Sequence, residues 1–270
     1  MRRLIGFPCG NETLVGTIDE AAGSTGLLIV SGGNEIRSGA HRGMALLAAR
    51  VAAELGAPVL RYDRRGVGDS TGLNSGYEGS GPDIAAAAAT FRTEVPQLTR
   101  ILAFGNCDAA TALALFHEHA GIDALLLANP WVTEEHDALP PAAAIRARYA
   151  ERVKDPRQWA RLFRGEVDFS KLFRGLSKIT ETRSQHGTDV SERLATAMAD
   201  AEIPVTILTA ARDNTAVAFR EAWETPTFAP ARERAKITAR DTASHSFAGE
   251  EDKAWLFAKI DQALSDLNRR

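Results

Sequence analysis

Short apolar runs alternate with longer stretches of helical periodicity along most of this chain, and that alternation constrains the fold more than any other feature. Leu27-Leu28-Ile29-Val30, Pro58-Val59-Leu60-Arg61-Tyr62, Ile101-Leu102-Ala103-Phe104, Ala124-Leu125-Leu126-Leu127-Ala128 and Val205-Thr206-Ile207-Leu208 are short runs with little polar alternation. Such runs suit strands that are covered on both faces. Between them, Met44 to Leu55 carries apolar residues at helical spacing and stops at Gly56, Asp83 opens an Ala-rich segment, and Ala109 to His119 forms a third helical stretch. Strands separated by helices predict an α/β fold: a mostly parallel sheet flanked by helices. Ahead of this pattern, Leu4 to Phe7 and Thr13 to Ile18 read as two extended segments joined at Cys9-Gly10-Asn11, a hairpin that would make the sheet mixed.

The strand signal lapses between Trp131 and about Asp200, where Pro140, Pro141 and Pro156 punctuate helix-like pieces. The expected organisation is a core of residues 1–130 and 201–270 interrupted by a helical cap insertion, residues 131–200. Residues 140–185 hold 11 Lys/Arg against 5 Asp/Glu, although the 270-residue chain carries a formal net charge of -3. A basic cap is thus set on an acidic body, which allows weak contact between the cap and an anionic membrane surface. The overall charge gives no argument for nucleic acid, and the 44% apolar and 25% charged residues are ordinary for a globular protein. No run of about 18 apolar residues occurs, so no transmembrane segment is expected. The N-terminal residues lack the apolar core of a signal peptide, so the expected location is cytoplasmic. With only Cys9 and Cys107, a four-cysteine zinc site is excluded and at most one disulfide can form; no metal or cofactor is expected.

Cys107 has an informative position. In Leu102-Ala103-Phe104-Gly105-Asn106-Cys107-Asp108-Ala109 it stands where a strand becomes a helix, between the small residues Gly105 and Ala109. Gly-x-Cys-x-Ala matches the nucleophile elbow Gly-x-Ser-x-Gly, with sulfur replacing oxygen and Ala replacing the second Gly. A helix N-terminus favours thiolate over thiol there; as a bare residue, Cys107 also reads as a small buried hydrophobe. A chain order of nucleophile, acid, base then directs attention to the ends of later strands. Asp213 follows the run ending at Ala210, and His245 follows the Ala235–Thr238 run. Asp241 is the second candidate acid, and taken alone Asp213 also reads as a helix cap. Two backbone donors for an oxyanion would be the Asp108 N–H and an N–H of the loop Ser31-Gly32-Gly33-Asn34, Asn34 first and Gly33 as the alternative. Arg37, His41 and Arg42 either bind an anionic group of the substrate or pair with local carboxylates.

Arg61-Tyr62-Asp63-Arg64-Arg65-Gly66-Val67-Gly68-Asp69-Ser70 closely resembles the Asp-x-Arg-Gly-x-Gly-x-Ser turn of the α/β-hydrolase superfamily, where Asp63, Arg65, Gly66, Gly68 and Ser70 would serve architecture. Within it, Ser31-Gly32-Gly33-Asn34 with Gly39-Ala40-His41-Arg42, the cysteine elbow, Asn129-Pro130-Trp131, Leu162-Phe163-Arg164-Gly165 and Arg212-Asp213 look like the hydrolases associated with the exosortase A system, first type. The resemblance covers nearly the whole chain. It implies a context of exopolysaccharide production and puts Trp131 among substrate-binding candidates. The activity expected is hydrolysis of an ester or thioester through an acyl-cysteine by Cys107, His245 and Asp213. The partner would be a small acyl ester or thioester, saccharide- or lipid-linked in that context. Transfer of the acyl group to a hydroxyl is the alternative enzyme reading, and a non-catalytic binding protein is the alternative from another class.

Overall fold

A computed structural model describes residues 1–133 and 188–270. Eight strands form one sheet: β1 (Arg2–Cys9), β2 (Glu12–Asp19), β3 (Thr25–Val30), β4 (Val59–Tyr62), β5 (Arg100–Asn106), β6 (Ala124–Ala128), β7 (Val205–Ala210) and β8 (Ala235–Arg240), in the order β1-β2-β4-β3-β5-β6-β7-β8. β1 and β2 pair as an antiparallel hairpin with Cys9 opposite Glu12, and β2 runs antiparallel to β4. From β4 to β8 all pairings are parallel. All residues of β3 and β6 are buried, as unalternating apolar runs require when helices cover both faces.

Neighbouring residues of each strand serve opposite faces. Leu28, Val30, Ala103, Leu125, Leu127 and Ile207 pack in one core layer. It is covered by α2 (Gly81–Glu94), α3 (Asp108–Ala120) and α4 (Thr188–Asp200), which supply Ile84, Phe91, Leu113, Leu194 and Met198. α5 (Asn214–Trp223) and α6 (Ala229–Arg234) extend this layer with Phe219 and Ala231. Leu27, Ile29, Leu102, Phe104, Leu126 and Leu208 face the other way, against Leu47 of α1 (Gly43–Arg50) and Leu256, Ile260 and Leu264 of α7 (Glu250–Asn268). Fully burying a side chain of this size contributes about 1.5–3 kcal/mol, so the two layers dominate cohesion.

The helix expected over 44–55 is α-helical only to Arg50; Val51–Leu55 widens into a π turn before Gly56 in the left-handed region. Both cysteines are free thiols, so the single disulfide that two cysteines allow is not made. Cys9 is buried, and burial together with the nearby charge of Asp83 pushes its thiol pKa up. Most of the expected cap, residues 134–187, lies outside the described residues. Its final stretch forms α4, whose Leu194, Ala195 and Met198 belong to the sheet's own core layer.

Sheet order sets where a site can form. From β3 the chain goes to β4 on one side, then crosses back to β5 on the other. The loops leaving adjacent parallel strands β3 and β5 therefore diverge, opening a crevice at their carboxyl ends. Val30 pairs with Gly105 there, so the Gly32-Gly33-Asn34 loop and the Cys107 turn emerge side by side.

Candidate active site

Cys107 is the turn between β5 and α3, with φ 62° and ψ -129°, a backbone conformation that a side chain rarely adopts. Its N–H donates to Ala128 O at 3.0 Å, and its carbonyl accepts from Ala110 N at 3.1 Å. The bend requires a small residue two positions earlier: a Cβ on Gly105 would lie 2.8 Å from the Ala109 carbonyl carbon and 2.9 Å from Leu113 Cδ1. The half-buried sulfur stands over the first turn of α3, whose initial N–H groups have no intrahelical partner.

His245 lies in the loop between β8 and α7. Its Nδ1 and Asp213 Oδ2 are 2.9 Å apart, with Nδ1–H as donor, and Cys107 lies within electrostatic reach of the ring. Asp213, at the end of β7, caps α5: the same Oδ2 accepts the Thr215 and Ala216 N–H groups at 3.1 and 3.2 Å. Helix capping and contact with the histidine are thus two uses of one oxygen. Burial favours the neutral imidazole, but the hydrogen bond and charge of Asp213 and the contact with Cys107 outweigh it, and the His245 pKa is pushed up to about 10. Burial works against the charged form of Asp213 too, yet its hydrogen bond with His245, the imidazolium charge and the two α5 amides hold its pKa below the usual value.

The other candidate residues occupy separate places. Asp241 is exposed and pairs with Arg212 at 3.0 Å. His117 is buried in α3, its Nδ1 2.9 Å from Ala114 O, and His119 is exposed. His136 and His186 fall outside the described residues. The Gly33 N–H donates to Asp108 Oδ1 at 2.6 Å, whereas no hydrogen bond engages the Asn34 N–H among the described residues. Arg37 is held by Asp63, by Asp69 at 2.9 Å and by Thr17 Oγ1 at 3.1 Å. His41 and Arg42 are exposed on consecutive left-handed residues, φ 52° and 60°, and no side-chain partner engages them among the described residues. Trp131 is half-buried just after β6, its carbonyl accepting from Thr111 Oγ1 at 2.7 Å. Among the described residues no group of three or more His, Cys, Asp or Glu side chains could hold a metal, and no helix is long and apolar enough to cross a membrane.

No family model and no curated protein matches the chain. Solved structures do. An esterase of Pyrococcus furiosus, Pf2001, is similar over 99% of this chain and 91% of its own, at TM-score 0.66 and 18% identity. Est1E from Butyrivibrio proteoclasticus, solved with ferulic acid bound, matches over 98% and 100% at TM-score 0.63 and 15% identity. Alpha/beta hydrolase domain-containing protein 10 from mouse matches over 98% and 99% at TM-score 0.57 and 12% identity. The chain has the α/β-hydrolase fold.

Within this α/β-hydrolase fold, three residues that the sequence did not single out for the site lie against it. Asn129, fully buried with φ 43°, donates from Nδ2 to the His245 carbonyl at 3.0 Å and to Asn106 Oδ1 at 2.9 Å, and accepts the Ala210 N–H at 2.8 Å. Asn106 donates to the same carbonyl at 3.1 Å. The ends of β5, β6 and β7 are thereby tied to the histidine loop. Arg64, 2% exposed, is the third; it reaches Asp108 Oδ2 at 3.1 Å.

Proposed function

We propose that the chain is an acyl hydrolase that cleaves an ester or thioester through an acyl-cysteine on Cys107. The observation that carries this reading is the line of contacts from Cys107 to His245 to Asp213, at the ends of β5, β8 and β7, with the cysteine on a strained turn at a helix N-terminus. The esterases among the structural neighbours support the reaction class.

In the proposed reaction the Cys107 proton passes to His245, and Asp213 Oδ2 stabilises the imidazolium and fixes its orientation. The thiolate adds to the substrate carbonyl, whose developing negative oxygen is met by backbone N–H donors at the elbow and the β3 loop. His245 gives its proton to the leaving alcohol or thiol as the tetrahedral intermediate collapses. Water, deprotonated by the same imidazole, then attacks the thioester, and Cys107 departs as thiolate. Sulfur leaves that intermediate more readily than an amine, so ester and thioester substrates are favoured over amides.

The motifs shared with exosortase A system-associated hydrolases extend the proposal to a saccharide- or lipid-linked acyl ester, in which case transfer to a hydroxyl acceptor is a variant of the same second half-reaction. Iodoacetamide labelling near neutral pH with mass mapping, alongside p-nitrophenyl ester and thioester hydrolysis, tests the assignment. Cys107 is expected to label faster than Cys9, His245→Ala to slow that labelling, and Cys107→Ala to abolish hydrolysis. Equal labelling of both thiols together with hydrolysis by Cys107→Ala would reject it.

A further inference from the structure

Asp108 follows the nucleophile candidate, and its side chain turns back to the β3 loop. Oδ1 accepts the Gly33 N–H at 2.6 Å and Oδ2 meets Arg64 at 3.1 Å. Gly32 has to be glycine for this approach: a Cβ there would lie 2.6 Å from Asp108 Oδ1. Arg64, 2% exposed, donates also to Ser80 Oγ at 2.9 Å and to the Gly33 carbonyl. Asn74 Nδ2 donates to that carbonyl at 3.2 Å and to Asn34 Oδ1 at 2.9 Å.

These bonds determine which amide can face a substrate. With its N–H on Asp108, Gly33 has no donor left for an oxyanion. Freeing it by withdrawing Asp108 would leave the buried Arg64 guanidinium without its carboxylate. The Asn34 N–H has the opposite status. It belongs to the same planar trans peptide as the Gly33 carbonyl, so the two point in opposite directions. Arg64 and Asn74 hold the carbonyl, and the Asn34 N–H is therefore aimed away from the buried guanidinium on an exposed residue.

We propose that Asp108 and Arg64 form a clasp that positions the oxyanion donors of the proposed acyl chemistry, and that those donors are the Asn34 and Asp108 backbone N–H groups. Both side chains are positioning residues, acting through the peptide between Gly33 and Asn34. The proposal rests on the hydrolase reading above, and the test separates the two. Iodoacetamide alkylation displaces iodide at a saturated carbon and develops no oxyanion, so it reads the thiolate alone; ester hydrolysis reads the thiolate and the donors together.

The variants are Asp108→Ala, Asp108→Asn, which can still accept the Gly33 N–H, and the double variant Arg64→Met with Asp108→Ala, which leaves no unpaired buried charge if Asp108→Ala fails to fold. For folded Asp108→Ala or the double variant, kcat for p-nitrophenyl acetate is expected to fall about 10-fold to 100-fold, less than outright loss of an oxyanion donor. KM should stay nearly constant and Cys107 alkylation should proceed at the wild-type rate. Asp108→Asn should recover part of the lost kcat. Unchanged or increased kcat in the folded variants would overturn the clasp, as would a parallel loss of alkylation and hydrolysis. If instead the wild type neither hydrolyses esters nor labels Cys107 ahead of Cys9, the hydrolase reading fails first, and the clasp with it.

Discussion

Asn129 holds His245 by its backbone: the Nδ2 amide of one donates to the carbonyl oxygen of the other at 3.0 Å, while Asn129 Oδ1 accepts the Ala210 N–H at 2.8 Å. The imidazole is thus located relative to β6 and β7 as well as through Asp213. Replacing Asn129 by Asp keeps the shape and tolerates φ 43°, but sets an oxygen against the Asn106 and His245 oxygens. Asn129→Asp is expected to cost about 1–3 kcal/mol of stability for the unsatisfied buried groups. Displacement of the ring should lower kcat/KM on the order of 100-fold. Thermal melting and ester hydrolysis check both.

Asp213 combines a cap with a histidine contact on one oxygen, and two substitutions separate these uses. Asp213→Asn retains a capping oxygen but loses the charge that stabilises the imidazolium, so it should melt below wild type near pH 6 and approach it toward pH 10; it can also present an amide N–H to Nδ1 and favour the wrong tautomer. By analogy with such a change in serine proteases, hydrolysis should drop by about 10⁴. Asp213→Ala should lose comparable activity and, in addition, about 0.5–2 kcal/mol of helix capping.

A local pattern with a local cause is legible in the sequence. Unalternating apolar runs marked β3, β5, β6 and β7 because a strand covered on both faces tolerates few polar residues. The elbow was visible at Gly105, Cys107 and Ala109 because a tight bend admits only small neighbours. Asp213 and His245 are picked out by position after strands, not by their own surroundings, and the fold sets their side chains 2.9 Å apart. Asn106, Asn129 and Arg64 stand inside quoted motifs without a role that the sequence reveals, since their partners are remote in the chain and an amide or guanidinium carries no periodic signature. Arg37, offered as a substrate ligand or a local ion-pair partner, sits with Asp63 and Asp69. Charge at a position does not reveal which carboxylates the fold brings within reach.

His245 makes stability depend on pH in the alkaline range. Its pKa rises from 6.5 to about 10 on folding, so the folded state binds the proton more tightly. The resulting stabilisation is fully present below pH 6.5 and is lost as pH rises through about 10. Asp213 acts on the acid side: its depressed pKa gives stability that is present above the ordinary carboxylate value of 3.8 and disappears as pH falls through the folded value. Thermal melts of wild type and His245→Ala should therefore differ most at pH 6 and converge toward pH 10. A difference that is constant or grows with pH would contradict the imidazolium assignment.

The strain at Cys107 predicts an inverse relation between activity and stability at that position. Its φ of 62° costs a side-chain-bearing residue about 1–3 kcal/mol. Glycine relieves this, less about 0.5–1 kcal/mol for its greater freedom when unfolded. Cys107→Gly should therefore be about 1 kcal/mol more stable than Cys107→Ala by denaturant unfolding, with hydrolysis absent in both.

The order of the strands also has a consequence for the newborn chain. Cys107 leaves the ribosome just after β5, whereas Asp213 and His245 follow β7 and β8, after the whole stretch that separates β6 from β7 has been translated. Until then the elbow stands without the two residues proposed to serve it, and a fragment ending before residue 245 would lack the proposed base.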